Sequence, residues 1–520
     1  MKLSFYKRII VSIMTAAVIM IGSSGISVGA APDEYHDDWL HVNENAEIVD
    51  MYGNPVWITG CNWFGFNVGS QVFDGVWSQN MHSMLSQIAD HGFNFLRVPM
   101  STEILLQWKN GDPDPATPKV NEYTNPELTI EKVQGGTVMY SFDIWNQAVE
   151  WCRELGIKIM IDIHSAETAS AGHQVSLWYT DKFSAEDWCE ALEWFADYYK
   201  DDDTILAIDL KNEPHGTADV PSLMAKWDDT EDPNNWKHAA ETCAARVLNK
   251  NPNLLIMVEG TEVYPKEGYD WTAPRIDYTT MTEFYHGTWW GGNFRGAKKY
   301  PINLGEHQSQ LVYSPHDYGP LVYDQKWFYD GFTKETLLED CWYDNWFFLQ
   351  DEGTAPLLMG EWGGFMDGGK NEAWMTYLRD CMIENKIHHT FWCFNENSGD
   401  TGGLVYDNFG KWDEEKYALV KPSLWQNESG KFISLDHTIP LGENGISLSE
   451  YYSDSTDPTI PSFVLGDVNE DSKVNIFDSV LIRKYLLTGE AEINYDNADM
   501  NDDGTVNVAD LVMLNSFLIS

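Results

Sequence analysis

The stretch ILAIDLKNEP, Ile205–Pro214, is an apolar segment that runs directly into an asparagine, a glutamate and a proline. Segments that are apolar at nearly every position are typical of strands covered on both faces, as in parallel sheets. Seven further stretches share this pattern: VWITGCNWFGF (56–66), FNFLRVPM (93–100), IKIMIDIH (157–164), NLLIMVEG (253–260), QLVYSPHDYG (310–319), PLLMGEWGG (356–364) and HHTFWCFN (388–395). The chain therefore contains eight candidate strands.

Amphipathic segments separate several of these stretches, as in DIWNQAVEWCRELG from Asp143 and AEDWCEALEWFADYYK from Ala185. Eight strands that alternate with helices predict an α/β fold, a (β/α)8 TIM barrel with inserted loops, over residues 36–445. A doubly wound sheet is the structural alternative, but no glycine-rich phosphate turn follows the first predicted strand.

Polar or aromatic side chains end most of the predicted strands, where a barrel of this kind has its active site. Two of them, Glu213 and Glu361, follow the fourth and seventh strands, on opposite sides of the predicted rim. Cleavage of a glycosidic bond needs one carboxylic acid to protonate the leaving oxygen and one carboxylate to meet the positive charge on the sugar carbon. The two glutamates suit these roles. The other residues at strand ends are Arg97, His164, Asn212, His316, Tyr318 and Trp392.

The composition favours a neutral carbohydrate as the ligand. A net charge of -48 disfavours nucleic acid and anionic membranes as partners, because both require Lys and Arg to replace their counterions. The 23 tryptophans exceed what core packing usually demands, and indole rings lie well against the C–H faces of sugars. Trp63, Trp178, Trp289 and Trp290 are near strand ends and are candidate sugar platforms, with core packing as the alternative for each.

The series Arg97, His164, NEP, HDYG, GEWG and FWCFN resembles glycoside hydrolase family five, the cellulase family of the (β/α)8 glycosidases. The resemblance implies a retaining mechanism with Glu213 as the acid/base and Glu361 as the nucleophile. Glu259, which ends the fifth strand, has no role in this motif.

The same resemblance implies roles in substrate binding. Arg97 and Tyr318 are expected to hydrogen-bond the nucleophile and keep it ionised, and Asn212 is expected to bind the sugar 2-hydroxyl. His164 and His316 are expected to shape the cleaved subsite. Trp392 is expected to be the platform on which the sugar stacks there.

These features predict an endo-β-1,4-glucanase (a cellulase) that acts on cellulose or a related β-glucan and needs no cofactor for catalysis. A mannanase or a xyloglucanase is an alternative, because the family includes all three activities and the outer subsites decide between them. A non-catalytic carbohydrate-binding scaffold component is the alternative from a different class, although such a protein has no need of two paired glutamates.

A linker rich in Ser, Asp, Thr and Pro (446–463) precedes an internal repeat in residues 464–520. DVNEDSKVNIFD begins at Asp467 and DMNDDGTVNVAD at Asp499, and an apolar helical segment follows each. Oxygen atoms recur at the spacing that Ca²⁺ requires, with Lys473 and Thr505 supplying backbone carbonyls. The two predicted ligand sets are Asp467, Asn469, Asp471, Lys473, Asn475 and Asp478, and Asp499, Asn501, Asp503, Thr505, Asn507 and Asp510.

This repeat resembles a dockerin, the module that attaches cellulosomal enzymes to cohesin domains of a scaffold protein. A generic EF-hand fits less well, because no helix is apparent before the first loop and Asp rather than Glu occupies position twelve. The resemblance implies a small all-α domain with two structural Ca²⁺ ions and a cohesin partner. Ser472 replaces the turn glycine that the second loop has as Gly504, and the apolar recognition positions Ile476, Phe477, Val508 and Ala509 leave the cohesin type open.

The two repeats also predict the core of this domain. Matching apolar residues of the helices that follow the loops are expected to pack together: Val480 with Val512, Ile482 with Leu514, Tyr485 with Phe517 and Leu486 with Leu518. Such a core is too small to stand alone, and the domain is expected to fold only with Ca²⁺.

Residues 1–30 have the pattern of a secretory signal peptide: basic residues up to Arg8, an apolar run from Ile9 and small residues ending at Ala30. A membrane anchor is the alternative, but the Gly22–Gly25 stretch interrupts the run before the ~20 apolar residues that a span needs. The protein is therefore expected to be extracellular. Seven cysteines without C-x-x-C spacing indicate no zinc site and leave at least one thiol unpaired in a monomer.

Overall fold

The structure is a computed structural model that describes residues 37–111, 119–130, 138–216, 220–274, 282–454, 465–466, 468–469, 474, 476–489, 493–501 and 505–518. At its centre are eight parallel strands, and each predicted stretch contributes one of them, so the prediction of a (β/α)8 barrel is confirmed. In chain order they are Thr59–Asn62 (β1), Phe95–Ser101 (β2), Lys158–Ser165 (β3), Ile205–Asp209 (β4), Leu255–Val258 (β5), Leu311–Tyr313 (β6), Leu358–Trp362 (β7) and His388–Phe391 (β8).

Consecutive strands pair in parallel from β1 to β6, and β7 pairs with β8, which pairs with β1. Two isolated bridges, Tyr313 with Leu357 and His316 with Glu361, connect β6 to β7 and close the ring. The second bridge places the segment after β6 directly beside one of the two predicted catalytic glutamates.

Helices follow most of the strands and pack their apolar faces on the barrel. Ser184 begins one of them with a capping box to Asp187, which satisfies backbone donors that the first turn leaves free. Besides short 3-10 helices, the described helices of residues 37–454 include Met81–Asp90, Thr102–Asn110, Ser141–Glu154, Ala185–Tyr198, Trp236–Lys250, Lys334–Leu337, the π-helix Leu338–Phe347, Phe348–Asp351, Lys370–Asn385, Glu414–Val420 and Leu448–Asp454. Short hairpins pair His41–Val42 with Ile48–Val49, Val263–Pro265 with Tyr285–Gly287, and Val405–Tyr406 with Lys411–Trp412.

Side-chain alternation along the strands separates two cores. On β3, Ile159, Ile161 and Ile163 belong to the large core that the barrel shares with its helices. Met160 belongs to a second core, inside the barrel, with apolar residues of the other strands. Because side chains alternate with period two, Asp162 and His164 lie on the same inner side as Met160, progressively closer to the carboxyl end of the barrel.

Residues 446–454, which the sequence assigned to the linker, pack against the barrel instead. Leu448 is buried in the inner core, and the ring of Tyr451 contacts that of Trp425 at 5.2 Å. Residues Leu448–Asp454 form a helix with these apolar contacts, so this part of the predicted linker belongs to the barrel domain. Residues 455–464 lie outside the described part.

The C-terminal part contains the helices Ile476–Thr488, Tyr495–Ala498 and Val508–Phe517, as an all-α domain requires. Its core consists of Val468, Ile482, Ala498 and Leu514, which includes one predicted helix pair, Ile482 with Leu514. The predicted pair of Val480 with Val512 is wrong, because these side chains are 51% and 57% exposed. Each precedes its buried neighbour by two residues, which turns it about 200° around the helix and away from the core.

Among the residues that the structure describes, no helix is long and apolar enough to span a bilayer. All seven cysteines are free thiols buried in the interior.

Candidate active site

A cleft of about 640 Å³ opens at the carboxyl ends of the barrel strands. Six of the predicted residues line it, and the other two, Arg97 and His316, lie fully buried and in contact with the lining carboxylates. The six are His164, Asn212, Glu213, Tyr318, Glu361 and Trp392. The structure therefore brings all eight together at one site.

Glu361, at the end of β7, is held by two donors. Its Oε1 accepts a hydrogen bond from Arg97 Nη1 at 2.8 Å, and its Oε2 accepts one from the Tyr318 hydroxyl at 2.6 Å. Burial raises the pKa of Glu361, but the Arg97 cation and the Tyr318 hydrogen bond oppose that effect by stabilising the carboxylate. The pKa remains above its ordinary value, and these two contacts limit the rise.

Glu213 follows β4 and lies in a different environment. Its Oε1 is 3.1 Å from Nδ1 of His316, and burial lowers the pKa of that imidazole far below its ordinary value, so the ring is neutral. Burial, and after it the negative charge of Glu361, raise the pKa of Glu213 well above that of a free glutamate. The two carboxyl groups are thus close together but differ in the form that the site stabilises.

The short separation of the two carboxyl groups follows from the strand positions. One carboxylate oxygen of Glu213, one of Glu361 and a ring nitrogen of His316 all lie within 4.8 Å of one another. Two acids and a histidine at this spacing are also a conceivable metal site. The buried Arg97 cation already supplies positive charge beside Glu361, so the geometry gives no reason to invoke a metal there.

Arg97 is the centre of a buried polar network below the cleft. Its guanidinium contacts Asp209 at 2.9 Å, Asp162 at 3.2 Å and Glu259 at 3.3 Å, in addition to Glu361. Further acceptors are the side-chain oxygens of Asn62 at 3.0 Å and Asn212 at 3.1 Å. All of these groups are fixed by strands, so the network orients the donor that holds Glu361.

Sequence reasoning missed Asp162 and Asp209, which interact directly with Arg97. Each is a charged residue directly after an apolar run of its strand, IMI before Asp162 and ILAI before Asp209. Asp162 is two residues from His164 and Asp209 is two residues from Ala207 of the inner core, so both lie on the inner side by alternation. That interruption was a usable signal. Asn397, Ser398 and Asp400, which line the cleft from the loop after β8, left no comparable signal, because loop residues show no periodicity.

Aromatic surfaces border the site. The ring of Trp392 is nearly parallel to those of His164 and Phe64, with centroids 5.5 Å and 5.7 Å away. These neighbours, one in β3 and one after β1, set its orientation. Trp289 and Trp290 line the cleft as predicted candidates, and Trp290 stacks on His215 at 3.7 Å.

The predicted platforms Trp63 and Trp178 are wrong. Trp63 is fully buried, stacks on Phe73 at 4.1 Å and donates its indole N–H to the Asp74 carbonyl. Asn62 points inward to Arg97, so the next residue points outward into the helix layer. Trp178 is buried in contact with the ring of Trp236.

Of the predicted calcium ligands, Asn469, Asp478, Asp499, Asn501, Thr505, Asn507 and Asp510 are described, whereas Asp467, Asp471, Lys473, Asn475 and Asp503 lie outside the described residues. Asp478 Oδ1 accepts the backbone N–H groups of Val468 and Asn469, so it holds these two residues beside its helix. Asp510 is buried, and its Oδ1 has no hydrogen-bond partner among the described residues. A buried acceptor of this kind fits a cation as its missing partner.

Comparison with known proteins agrees with this geometry. The family model for cellulases of glycosyl hydrolase family 5 matches residues 49–398, and the model for the dockerin type I domain matches residues 465–519. Endoglucanase G of Acetivibrio thermocellus is 48% identical, over 94% of this chain and 93% of its own length. Endoglucanase B of the same organism is 42% identical, over 95% and 94%.

Among solved structures, a hyperthermophilic endocellulase from the archaeon Pyrococcus horikoshii matches with a TM-score of 0.62 and 31% identity, over 74% of this chain and 98% of that one. The catalytic domain of the major endoglucanase of Xanthomonas campestris matches with a TM-score of 0.62 and 29% identity, over 74% and 99%. Both resemblances deduced from the sequence are confirmed: the chain belongs to the cellulases of glycosyl hydrolase family 5 and carries a type I dockerin domain.

Proposed function

We propose that the protein is a secreted endo-β-1,4-glucanase that hydrolyses cellulose or a related β-glucan with retention of anomeric configuration. The observation that supports retention most directly is the closeness of the Glu213 and Glu361 carboxylate oxygens, within 4.8 Å. Retaining glycosidases hold their carboxyl groups roughly 5–5.5 Å apart, whereas inverting enzymes separate them by roughly 6.5–9.5 Å to admit a water molecule.

In the first step, an oxygen of Glu361 attacks the anomeric carbon while the bond from that carbon to the glycosidic oxygen breaks. Glu213, which its surroundings keep protonated, transfers its proton to the departing oxygen. Arg97 and Tyr318 hold the Glu361 carboxylate ionised and oriented until the new bond forms.

In the second step, Glu213 is ionised and takes a proton from water, whose oxygen attacks the anomeric carbon. The bond to Glu361 breaks and the carboxylate returns to Arg97. The pKa of Glu213 suits both steps. After burial, the negative charge of Glu361 is the next largest cause of its rise. That charge is lost when Glu361 forms the covalent bond, so the pKa of Glu213 falls before the second step.

Two side chains are available to place the reacting sugar. The amide Nδ2 of Asn212 is buried without a hydrogen-bond partner among the described residues, while its Oδ1 is occupied by Arg97. It is therefore an oriented donor for the sugar 2-hydroxyl. Trp392, which contacts the rings of His164 and Phe64 and lines the cleft, offers an indole face for the same sugar ring.

The C-terminal domain is proposed to bind two Ca²⁺ ions and a cohesin. Bound Ca²⁺ would supply the positive charge that the acidic loops lack. On the helices after the loops, Phe477 and Val508 are 67% and 65% exposed and Ala509 is also exposed, so these apolar side chains are available to a partner protein. Such exposure suits a docking surface better than a free domain.

The catalytic assignment is tested with two variants. Glu361→Gln is expected to abolish hydrolysis while preserving binding of cello-oligosaccharides. Glu213→Ala is expected to regain activity on an aryl β-cellobioside when azide is added, with a β-glycosyl azide as the product, because a small anion can attack the covalent intermediate without a general base. Exposed Glu352→Gln serves as the control. An α-configured first product by NMR would refute the retaining mechanism.

A further inference from the structure

Glu259 lies directly after β5 and is fully buried, with no exposure to the cleft, yet it contacts three groups of the catalytic site. We infer that Glu259 is a positioning residue for the acid/base: its carboxylate holds the backbone of Glu213 in the conformation that aims the acid at the glycosidic oxygen. This inference rests on the proposed role of Glu213.

The backbone of Glu213 needs such support. Its φ of +51° lies in the left-handed region, which residues other than glycine rarely adopt and which persists only where the surroundings enforce it. The N–H of Glu213 donates to Glu259 Oε2 at 2.7 Å. This hydrogen bond satisfies a backbone donor that the end of β4 would otherwise leave without a strand partner, and it fixes the peptide plane on which the acid/base is mounted.

The second oxygen of Glu259 reaches the other side of the site. Oε1 lies 3.3 Å from Nη2 of Arg97 and 3.2 Å from Nε2 of His316. Arg97 binds the nucleophile, and Nδ1 of His316 lies beside the carboxyl group of Glu213. One buried carboxylate therefore connects the backbone of the acid/base with the two side chains that orient the catalytic pair.

The packing around Glu259 leaves no room for it to move. Gly291 has a φ of +73°, and a Cβ atom at this position would lie 2.2 Å from Glu259 Oε2 and 3.5 Å from the Glu213 Cα. The neighbouring Gly260 N–H donates to the Gly291 carbonyl at 2.8 Å, which keeps this loop against the carboxylate. A side chain at Gly291 would displace Glu259 without changing its chemistry.

The test compares two substrates in variants of the full-length protein. Glu259→Leu removes both acceptor oxygens at similar volume, and Glu259→Gln keeps one oxygen that can accept from the Glu213 N–H. On cellotetraose, whose leaving group requires a proton, we expect Glu259→Leu to lower kcat/KM about 100-fold, as a misplaced catalytic group does. On 2,4-dinitrophenyl β-cellobioside, whose leaving group departs without a proton, we expect a loss of less than about tenfold.

Two further variants separate positioning from loss of structure. Glu259→Gln is expected to recover most of the kcat/KM on cellotetraose. Gly291→Ala is expected to show the same selective loss as Glu259→Leu. It also provides the test if Glu259→Leu does not fold. Asp317→Asn is the matched control, because Asp317 is a buried acid whose side chain accepts the indole N–H groups of Trp374 and Trp346. Its contact with Glu361 is made by its backbone N–H, which the substitution keeps. It is expected to show no selective loss.

Glu213→Ala in the same assay distinguishes the two possible failures. If it lowers kcat/KM equally on both substrates, Glu213 is not the general acid and the proposed function is wrong. If Glu213→Ala spares the dinitrophenyl substrate but Glu259→Leu or Gly291→Ala lowers both substrates equally, the acid/base assignment stands and the inference about Glu259 is overturned.

Discussion

A cluster of charges at the amino-terminal end of the barrel, the basal clasp of Asp38, Asp50, Lys158, Asp436 and His437, predicts a specific loss of stability at alkaline pH. The two ring nitrogens of His437 lie 2.6 Å from Asp38 and 3.1 Å from Asp50, so both must carry protons. Lys158, at the start of β3, contacts Asp38 at 2.6 Å and Asp436 at 3.1 Å. The clasp thus connects segments at both ends of the barrel sequence.

Burial alone would lower the pKa of His437, but hydrogen bonds to Asp38 and Asp50 outweigh burial and raise the pKa from 6.5 to about 9. At about 1.4 kcal/mol per pH unit, this difference makes the folded barrel about 3 kcal/mol more stable when the ring is protonated. Because the folded pKa is raised, the stabilisation is fully present below about pH 6.5 and is lost as the pH rises through about 9.

The measurement is urea unfolding of the wild type and of His437→Gln at pH 6 and pH 10. Tryptophan fluorescence reports the barrel selectively, because all 23 tryptophans precede the C-terminal repeat. We expect the variant to be about 3 kcal/mol less stable at pH 6 and nearly equal to the wild type at pH 10. His238→Gln, on the helix Trp236–Lys250, is the control. An equal stability difference at the two pH values would refute the assignment of a buried imidazolium.

Three further predictions concern the site and the C-terminal domain. Arg97→Met should move the acidic limb of the kcat/KM profile to higher pH, because Arg97 opposes the rise in the pKa of Glu361; an unchanged limb would contradict its role in ionising the nucleophile. Trp392→Ala should raise KM for cello-oligosaccharides about tenfold through loss of a stacking surface, which steady-state kinetics measures. Asp478→Ala combined with Asp510→Ala should abolish Ca²⁺-dependent retention on an immobilised cohesin while leaving carboxymethylcellulose hydrolysis unchanged; retention of the double variant would contradict the calcium-binding assignment.

The fold was predictable because buried parallel strands leave a strong local signal. Each predicted stretch is largely apolar, and in ILAIDLKNEP the polar residues follow the apolar run at its carboxyl end. The eight site residues could be named for the same reason. What a strand end does not reveal is the side on which a ring lies. Trp63 follows an apolar run, but only the inward position of Asn62 shows that Trp63 must face the helices.

The C-terminal domain illustrates a second limit. Apolar residues at matching repeat positions share an environment, but the repeat does not say whether that environment is the core or the surface. Ile482 and Leu514 are buried, whereas Val480 and Val512 are exposed together. A module that must present an apolar face to a partner has hydrophobic residues on both sides of its helices, so hydrophobicity alone does not identify its core.

A count of charges bears on why Glu213, rather than one of its neighbours, suits the proposed role of acid/base. Five buried or nearly buried acids surround two buried bases, Arg97 and Lys211. Burial lowers the pKa of Lys211, which weakens its hold on a positive charge. An excess of buried negative charge is costly, so some acids must keep their protons. Arg97 contacts four of the five directly, and Glu213 is the one that it does not contact; the four are Asp162, Asp209, Glu259 and Glu361.

Burial and these contacts together set the pKa values of the five acids, and burial has the larger effect. Burial raises the pKa of Asp162 and of Asp209 to about 6, with Arg97 opposing the increase in both, while the pKa of Glu213 is raised well above its ordinary range. Glu213 also borders the cleft, so its proton can reach a glycosidic oxygen, whereas Glu259 is enclosed and has no such access. Burial raises the pKa of Glu259 well above its ordinary range as well, so access to the cleft is what distinguishes the two acids. The acid that combines a strongly raised pKa with access to substrate is therefore Glu213, which supports its proposed role as the acid/base.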